Sequence, residues 1–392
     1  MQVGLKWPWP RRIPLAWRQL ARQRVRLLVA LAGISFAGLL MFMQMGFRDG
    51  LFDSIVTLHE AIAADVVLIS PQSTALTSMR PFPQRRLYQA LSLPDVQSVS
   101  PLYIGLVNWK NPETRQPRSI LTLGISPDEN AFDLKGLSEN LNEIRIPDVV
   151  LFDQTSRAEF GPVAQQFRAG QPVVTEVGER RIRVGGLFTM GATFGADGNI
   201  ITSDLNFLQI FPQRRRDEID VGLIRAEPGT NIPQLVQELQ RSLPPDVRVL
   251  SKPEFVEFER NYWATSTAIG FIFTFGTVIG FIVGGVIVYQ ILYSDVSDHL
   301  AEYATLKAMG YSDRYLLWVV FQEALILAAL GYIPGVILST GLYAITRSAT
   351  MIPIGMTFDR ASIVFILTLV MCLGSGLIAV RRLEAADPAD IF

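Results

Sequence analysis

The chain has 392 residues, 49% of them hydrophobic, and a formal net charge of -1. This balance gives no basic surface that would attract a polyanion, so nucleic acid is excluded as an expected partner. The single cysteine, Cys372, excludes an internal disulfide framework. The apolar residues are concentrated in four runs, a pattern typical of an integral membrane protein.

Each of the four runs is long enough to form a membrane-spanning helix. The first has 21 residues without a charge, and at about 1.5 Å per residue such a helix crosses a hydrocarbon layer of about 30 Å. The second has 34 uncharged residues, so its helix is expected to tilt or to project beyond the bilayer. The third run is interrupted by Glu323 and Pro334. We therefore predict four transmembrane helices, at 27–47, 263–294, 315–346 and 361–380.

The N-terminal segment 1–26 carries seven basic residues and no acidic residue: Lys6, Arg11, Arg12, Arg18, Arg22, Arg24 and Arg26. Because Lys and Arg collect on the cytoplasmic side of a membrane, this segment is predicted to be cytoplasmic. A cleaved signal peptide is the alternative, but no short apolar region is followed by a small-residue cleavage site. Four crossings then return the tail 381–392 to the cytoplasm and leave 347–360 as a short outer loop.

Residues 48–262 form one block outside the cytoplasm, which has the length of a domain. Its beginning and its end both show a β-α-β order of patterns, the second with a helix at 231–243 between two strands. We interpret 62–130 and 213–255 as two halves of one α+β subdomain, with 131–212 inserted between them as a second subdomain. Turn signals in the insert predict a hairpin around Gly178.

The chain lacks the motifs of an enzyme. A P-loop requires a Gly-Lys step, which does not occur, so we expect no ATP and no other cofactor on this chain. The two histidines, His59 and His299, are predicted on opposite sides of the membrane and cannot share a metal ion. No G-x-S-x-G elbow is present. These absences predict no catalytic residue, no metal site and no enzymatic activity.

The carboxyl group of Glu323 lies inside the third predicted span, where an acidic side chain is expensive. One interpretation is a proton or substrate site. The other is an interfacial carboxylate that reaches the cytoplasmic surface or pairs with helix ends there. We favour the interfacial carboxylate, because no second ionisable residue lies in any predicted span to continue a relay.

A short helix is predicted in the connection 295–314 between the second and third spans. Ser294, Asp295, Ser297 and Asp298 are N-cap candidates, and Gly310 stands where a left-handed residue would end the helix. Composition alone favours equally a capped turn that only joins two spans.

The segment "EYATLKAMGYSDRYLLWVVFQEALIL" (302–327) resembles the core of the FtsX-domain permeases, the MacB-like mechanotransmission class of ABC transporter subunits. The N-terminal span opened by "LAWRQLARQRVRLLVALAGIS", the large outer domain, the three C-terminal spans and the exit "VRRLEAADPADIF" agree with that class. Within it, the sequence is most similar to the DevC type, the heterocyst exporter permeases of cyanobacteria.

This resemblance implies an integral membrane α-helical fold with four transmembrane helices and a large α+β extracytoplasmic domain of MacB type. The two halves and the insert would correspond to porter and Sabre-like subdomains. The short helix would be the coupling helix that docks on a separate ATPase, formed by Glu302, Tyr303, Ala304, Thr305, Leu306, Lys307, Ala308, Met309 and Gly310. MacB carries its ATPase on the same chain, and this sequence departs from it by lacking one.

The implied partners are a DevA-like ATP-binding subunit, a DevB-like membrane-fusion adaptor, a TolC-like outer-membrane protein, membrane lipid and a second copy of the permease. The implied function is that of the permease subunit of a tripartite ABC exporter in the inner membrane, acting on an amphiphile such as a glycolipid. FtsX-like regulation or lipoprotein sorting is an alternative output of the same machine. A membrane-anchored receptor or enzyme that acts without an ATPase is the alternative from another class.

Overall fold

The structure, a computed structural model, describes residues 24–299, 309 and 313–384. These residues form two compact units. One contains the described parts of Met1–Asp49, Phe271–Ala349 and Ile354–Phe392, and the other contains Gly50–Gly270 with Thr350–Pro353. Most of the predicted cytoplasmic segment 1–26 and of the tail 381–392 lies outside the described residues.

The described elements are numbered in chain order. The helices are α1 (Arg24–Ala61), α2 (Arg85–Leu91), α3 (Leu137–Asn140), α4 (Val163–Arg168), α5 (Asp204–Ile210), α6 (Ile232–Ser242), α7 (Lys252–Thr265), α8 (Ala268–Asp298), α9 (Asp313–Thr350) and α10 (Phe358–Glu384). The strands are β1 (Val66–Ile69), β2 (Phe82–Pro83), β3 (Val96–Lys110), β4 (Pro117–Ile125), β5 (Val149–Asp153), β6 (Val174–Val177), β7 (Arg180–Phe188), β8 (Asn199–Ser203), β9 (Glu218–Ile219), β10 (Val221–Ala226) and β11 (Arg248–Ser251).

Four helices in the described part of the chain are long and apolar enough to cross a membrane: Arg24–Ala61, Ala268–Asp298, Trp318–Thr350 and Phe358–Val380. They coincide with the four apolar runs of the sequence. The first helix continues to Ala61, well beyond residue 47, where its apolar run and its predicted span end.

Small residues allow close packing in the helical unit. A Cβ atom added at Gly284 of α8 would lie 2.5 Å from the Cβ atom of Ala37 in α1 and 2.4 Å from the sulfur atom of Met371 in α10. Only a residue without a side chain fits at this contact. Close packing of small residues is the usual basis of helix association in lipid, where burial of apolar surface gives no driving force.

The outer unit is built on a nine-stranded sheet with the order β11-β1-β10-β3-β4-β8-β5-β7-β6. The side chains of β1 alternate between its two faces. Val66 and Leu68 join a core cluster formed with α2, α5 and α6. Val67 and Ile69 join a second cluster that contains Leu58 of α1. The sheet is therefore covered on both faces, and the end of α1 packs on the second face.

Helix α7 packs on this second face as well, through the buried Phe255. Its first turn is fixed by a capping box in which the Ser251 hydroxyl accepts a hydrogen bond from the Glu254 N–H and the Glu254 carboxylate accepts one from the Ser251 N–H. Both helices through which the chain enters and leaves the outer unit thus lie on one face of its sheet.

One extra pairing closes part of the sheet into a ring. Trp109 of β3 pairs with Val177 of β6, so β3, β4, β8, β5, β7 and β6 are joined in a circle, and the Trp109 side chain is fully buried. Residues 131–212, the predicted inserted subdomain, supply β5 to β8 of this ring, while β3 and β4 come from the predicted first half. The predicted boundaries do not coincide with a break in the sheet, and the division into porter and Sabre-like subdomains stays a prediction.

The second apolar run is divided between two helices. Helix α7 ends at Thr265 and α8 begins at Ala268. Around the break, the Thr267 hydroxyl donates to the Trp263 carbonyl at 2.6 Å, and the Thr265 hydroxyl donates to the Asn261 carbonyl at 2.6 Å. Hydroxyl side chains that bond to the backbone compete with the helical pattern, which explains the interruption at this Thr-Ser-Thr sequence.

Candidate functional site

The predicted coupling helix lies almost entirely outside the described residues. Nothing structural is therefore assigned to Glu302, Tyr303, Ala304, Thr305, Leu306, Lys307, Ala308 and Gly310. Met309 is described and its side chain is exposed. The flanking helices are described, with α8 ending at Asp298 and α9 beginning at Asp313.

A group of polar side chains, here called the inner polar cluster, joins three helices next to this connection. It consists of Arg26 of α1, Ser294, Asp295 and Asp298 of α8, and Glu323 of α9. The Arg26 guanidinium donates to the Ser294 hydroxyl and to the Asp298 carboxylate, each at 2.5 Å, and lies 3.5 Å from the Asp295 carboxylate. The last turns of α8 are thereby tied to the beginning of α1.

Glu323 is the most buried member of the inner polar cluster, with no exposed surface. Its carboxyl group interacts electrostatically with that of Asp295, which is also buried. Neither Glu323 oxygen has a hydrogen-bond partner among the described residues, and neither has Oδ2 of Asp295. The structure thus places Glu323 beside the end of α8 rather than at a water-exposed surface. Its role as an interfacial carboxylate stays a prediction.

A second group of polar side chains connects other helices of the same unit. The Arg360 guanidinium of α10 donates to the Asp49 carboxylate of α1 at 2.9 Å and to the Gly355 carbonyl at 2.5 Å. Arg360 also lies over the ring of Tyr343 at 5.5 Å, and the Tyr343 hydroxyl donates to the Phe42 carbonyl. These contacts join α1, α9 and α10.

In the outer unit, the last part of α1 and helix α7 form what we call the outer helix pair, residues 50–61 with 252–265. His59 and Glu259 meet between them, with Nε2 of His59 3.4 Å from Oε2 of Glu259. Both side chains are buried. On the outer side of α7, the Arg260 guanidinium lies 3.2 Å from the Asp53 carboxylate and 3.9 Å from that of Glu60.

Each oxygen of Glu259 accepts a hydrogen bond. The Leu76 N–H donates to Oε2 at 2.8 Å, and the Trp263 indole N–H donates to Oε1 at 2.8 Å. At the start of α7, the Lys252 ammonium group donates to the Ile62 carbonyl at 2.7 Å. A buried carboxylate with two donors and a neighbouring imidazole is costly to separate from them. The start of α7 is therefore bonded to the end of α1, and both helices pack on the second face of the sheet.

Sequence reasoning named Glu323, and named Ser294, Asp295 and Asp298 as N-cap candidates, but it did not predict which side chains meet in these groups. Glu259 stands in a helix with several other acidic residues and gives no signal of burial. Asp49 and Arg360 are 311 positions apart, and Arg26 and Asp298 are 272 apart. The sequence does contain one signal for the burial of Asp295. This residue directly follows Ser294, the last residue of the second uncharged run.

The described residues contain no group of three or more His, Cys, Asp or Glu side chains that could hold a metal ion. The polar side chains described above instead form contacts between helices. Partly exposed polar contacts join α8 to α1 near the predicted coupling helix, and the buried Glu259 joins α7 to Leu76 in the segment that follows β1.

Two family models match this chain. The model of the FtsX-like permease C-terminal domain matches residues 262–388, and that of the MacB-like periplasmic core domain matches residues 27–242. With four apolar helices, these matches define an integral membrane protein that carries a large α+β domain outside the cytoplasm. The chain belongs to the MacB-like family and is an ABC transporter permease of the MacB and FtsX type. Such permeases work with an ATP-binding partner.

An uncharacterized ABC transporter permease of Mycobacterium tuberculosis is 21% identical over 313 residues, which cover 80% of this chain and 79% of that permease. Among solved structures, the periplasmic region of MacB from Actinobacillus actinomycetemcomitans is 12% identical, with a TM-score of 0.36, and covers 51% of this chain and 94% of that one. The extracellular domain of the transporter YknZ from Gram-positive bacteria is 13% identical, with a TM-score of 0.33, and covers 48% of this chain and 99% of that one.

Proposed function

We propose that this permease is the transmembrane subunit of a tripartite exporter, in which a separate ATPase moves the outer domain to expel an amphiphilic substrate. ATP is bound by the partner subunit and not by this chain. The coupling helix, Glu302 to Gly310, receives the motion in the cytoplasm, where both termini also lie. A DevB-like adaptor and a TolC-like duct carry the substrate onward, and the DevC-type resemblance suggests glycolipid as its class.

One observation carries this proposal. Both connections between the apolar helices and the outer sheet, α1 and α7, pack on the same face of that sheet through Leu58, Ile62 and Phe255. His59 and Glu259 are also in contact between them, with Nε2 3.4 Å from Oε2, and the Lys252 ammonium group of α7 donates a hydrogen bond to the Ile62 carbonyl directly after α1. Because close-packed interiors transmit displacement rather than absorb it, a shift of the outer helix pair moves the sheet with it.

The inner polar cluster supports the cytoplasmic part of the proposal. Arg26, Asp295 and Asp298 tie the end of α8 to α1, directly before the predicted coupling helix. A push on the connection would therefore act on α8 and α1 together. Two permease copies would supply two coupling sites, since each chain has one such connection.

The test uses the permease reconstituted in liposomes with its ATPase and adaptor. We expect Lys307→Glu and Leu306→Gly to abolish stimulation of ATP hydrolysis by the adaptor and export of the amphiphile. The control is Arg241→Glu, a charge reversal at an exposed position of α6. Full stimulation and normal co-purification of the ATPase in the two coupling variants would contradict the proposal.

Two further results separate the alternatives. Stimulated ATP hydrolysis without adaptor binding would favour an FtsX-like or lipoprotein-sorting output. Full activity of the permease with no ATPase present would favour a receptor or enzyme. The topology is tested by reporter fusions, which we expect to be cytoplasmic after Phe392 and extracytoplasmic within 100–200.

A further inference from the structure

The outer unit contains a cleft on the second face of its sheet, here called the polar cleft. Strands β3 and β10 form its floor, and the segments 63–64 and 128–131 form its walls. Its volume is about 340 Å³, within the range of about 300–1,000 Å³ that is usual for small-ligand sites. All of its lining residues belong to the outer unit, so the cleft is complete within that unit.

The strand register brings the polar side chains of the floor together. Leu223 of β10 pairs with Ser100 of β3, and Arg225 pairs with Ser98. Residues that pair directly stand on the same face of a sheet. A β-bulge then leaves Gln97 as an extra residue of β3, and Gln97 also lines the cleft. Bulges of this kind commonly redirect a side chain next to a functional site.

One polar group of the floor lacks a partner. Ser100 is 4% exposed, and its hydroxyl has no hydrogen-bond partner among the described residues. The Arg225 guanidinium, in contrast, donates to the Ala63 carbonyl at 2.9 Å and so holds the floor to a wall. A buried hydroxyl without a partner is costly. Its position at the floor of a cleft therefore indicates a ligand that supplies the missing hydrogen bond.

The charges around the cleft nearly balance. The Asp128 carboxylate is paired with the Arg145 guanidinium at 2.7 Å. Burial raises the pKa of the Glu129 carboxyl group above its ordinary value, and the Arg225 guanidinium and the Ser98 hydroxyl act in the opposite direction. One carboxylate and one guanidinium thus remain to face a ligand. A strongly charged ligand would be repelled by one of these two groups, so the balance favours a neutral ligand.

We propose that the polar cleft binds a glycosyl group, an uncharged ligand with several hydroxyl groups. A hydroxyl both donates and accepts hydrogen bonds, so a sugar matches a lining that offers a carboxylate, a guanidinium, an amide and hydroxyls side by side. An apolar ligand would leave these groups without partners. The glycosyl group belongs either to a free saccharide or to the head of a glycolipid. Only the glycolipid source rests on the proposed function.

The experiment uses the full-length permease in phosphatidylcholine nanodiscs, without ATPase and without glycoside detergents. Saturation-transfer difference NMR compares methyl glucoside, methyl galactoside and methyl mannoside with ethanolamine and glycerol 3-phosphate. We expect saturation transfer to at least one methyl glycoside, and several-fold less to the cationic and anionic probes. Transfer to none of the glycosides, or stronger transfer to a charged probe, would overturn the proposal.

Two variants test whether the glycoside binds in the polar cleft. We expect Glu129→Ala and Ser100→Ala each to reduce the glycoside signal several-fold. Ser100→Ala removes only a hydroxyl without a partner, so its melting temperature should stay unchanged. The matched control is Glu139→Ala at an exposed position of α3, which should keep the full signal. Equal signals in the wild type and in both cleft variants would overturn the proposal.

A last comparison distinguishes the two sources of the glycosyl group. A glucosyl diacylglycerol is added to the nanodiscs, and the signal of the soluble methyl glucoside is measured again. A reduced signal supports binding of the lipid-borne sugar, whereas an unchanged signal supports a free saccharide as the ligand. Because no ATPase is present, failure of glycoside binding leaves the proposed export function untouched, and failure of export leaves the cleft proposal untouched.

Discussion

Nε2 of His59 lies 3.4 Å from Oε2 of Glu259 at a position where neither side chain reaches water. The imidazole ring also packs against Phe255, with the ring centres 4.5 Å apart. This contact joins α1, through which the chain enters the outer unit, to α7, through which it leaves. Neither ring nitrogen of His59 has a hydrogen-bond partner among the described residues, so the two side chains meet by packing, and the hydrogen bonds of Glu259 come from Leu76 and Trp263.

Replacing Glu259 by Gln tests how much the hydrogen bonds of this buried carboxylate contribute to stability. The amide nitrogen would face either the Leu76 N–H or the Trp263 indole N–H, both of which now donate to Glu259. A buried donor left without an acceptor costs about 1–3 kcal/mol, so we expect the free energy of unfolding to fall by about that amount. Thermal unfolding of the detergent-solubilised permease measures the change.

The control is Arg260→Gln on the same helix, whose ion pairs with Asp53 and Glu60 are partly exposed. Such surface pairs contribute at most about 1 kcal/mol. An equal loss in both variants would contradict a special role for Glu259.

Two neighbouring glycines of α8 offer a sharper comparison. A Cβ atom at Gly284 would overlap the Cβ atom of Ala37, at 2.5 Å, whereas one at Gly285 would find its nearest atom 3.8 Å away, in Met371. We expect Gly284→Ala to cost about 1–3 kcal/mol through overpacking. Gly285→Ala should be neutral or slightly stabilising, because alanine is the better helix former. Equal melting temperatures for the two variants would show that α8 does not approach α1 this closely.

Much of the fold was predictable from local patterns. The four apolar runs indicate four helices because lipid offers the backbone no hydrogen-bond partners, so a spanning segment must be helical. The helix predicted at 231–243 corresponds to α6, and the hairpin predicted around Gly178 corresponds to β6 and β7, with Gly178 at a φ of +59°. In each case neighbouring residues contain the whole signal.

The pairing of strands and the polar contacts were not predictable in this way. The parallel pairing of β4 with β8, and the closure of the ring at Trp109 and Val177, depend on residues far apart in the chain. The same holds for the pair of Asp49 with Arg360. A single sequence shows that such charges exist but not which of them meet after folding. The break between α7 and α8 did have a local signal, the hydroxyl residues 265–267, which the apolar run concealed.

Stability of the outer unit should depend on pH through Asp220. Burial raises the pKa of its carboxyl group above the ordinary value, although hydrogen bonds from Arg214 and the Ile104 N–H act in the opposite direction. An acid whose pKa is raised by folding binds more protons in the native state than in the unfolded state. Its contribution to stability therefore falls as the pH rises from about 4, the ordinary pKa, through the raised value.

The variant Asp220→Asn cannot titrate and isolates this effect. We expect the melting temperature of the wild-type permease to fall relative to that of Asp220→Asn as the pH is raised from about 4 to about 7. The comparison removes the contributions of all other titrating groups. A wild-type protein that gains stability over the variant with rising pH would show that the ionised pair with Arg214 outweighs the effect of burial.

The last prediction concerns Glu323 and Asp295, the two buried carboxyl groups of the inner polar cluster. Two neighbouring carboxylates repel each other when both are ionised, and a buried charge without a partner is costly. Asp295 has the guanidinium of Arg26 at 3.5 Å, whereas the described residues place no hydrogen-bond donor on Glu323. We therefore expect Glu323→Gln, which keeps the shape and removes the charge, to leave the melting temperature in nanodiscs unchanged or raised.

The contrasting variants at the same cluster should behave differently. Glu323→Ala opens a cavity in a fully buried position and is expected to cost about 2–4 kcal/mol. Asp295→Asn weakens the tie between α8 and α1 by removing the charge that faces Arg26. If Glu323→Gln proves as damaging as Glu323→Ala, the carboxyl group at 323 is itself required, and a hydrogen bond shared between the carboxyl groups of Glu323 and Asp295 would explain the requirement.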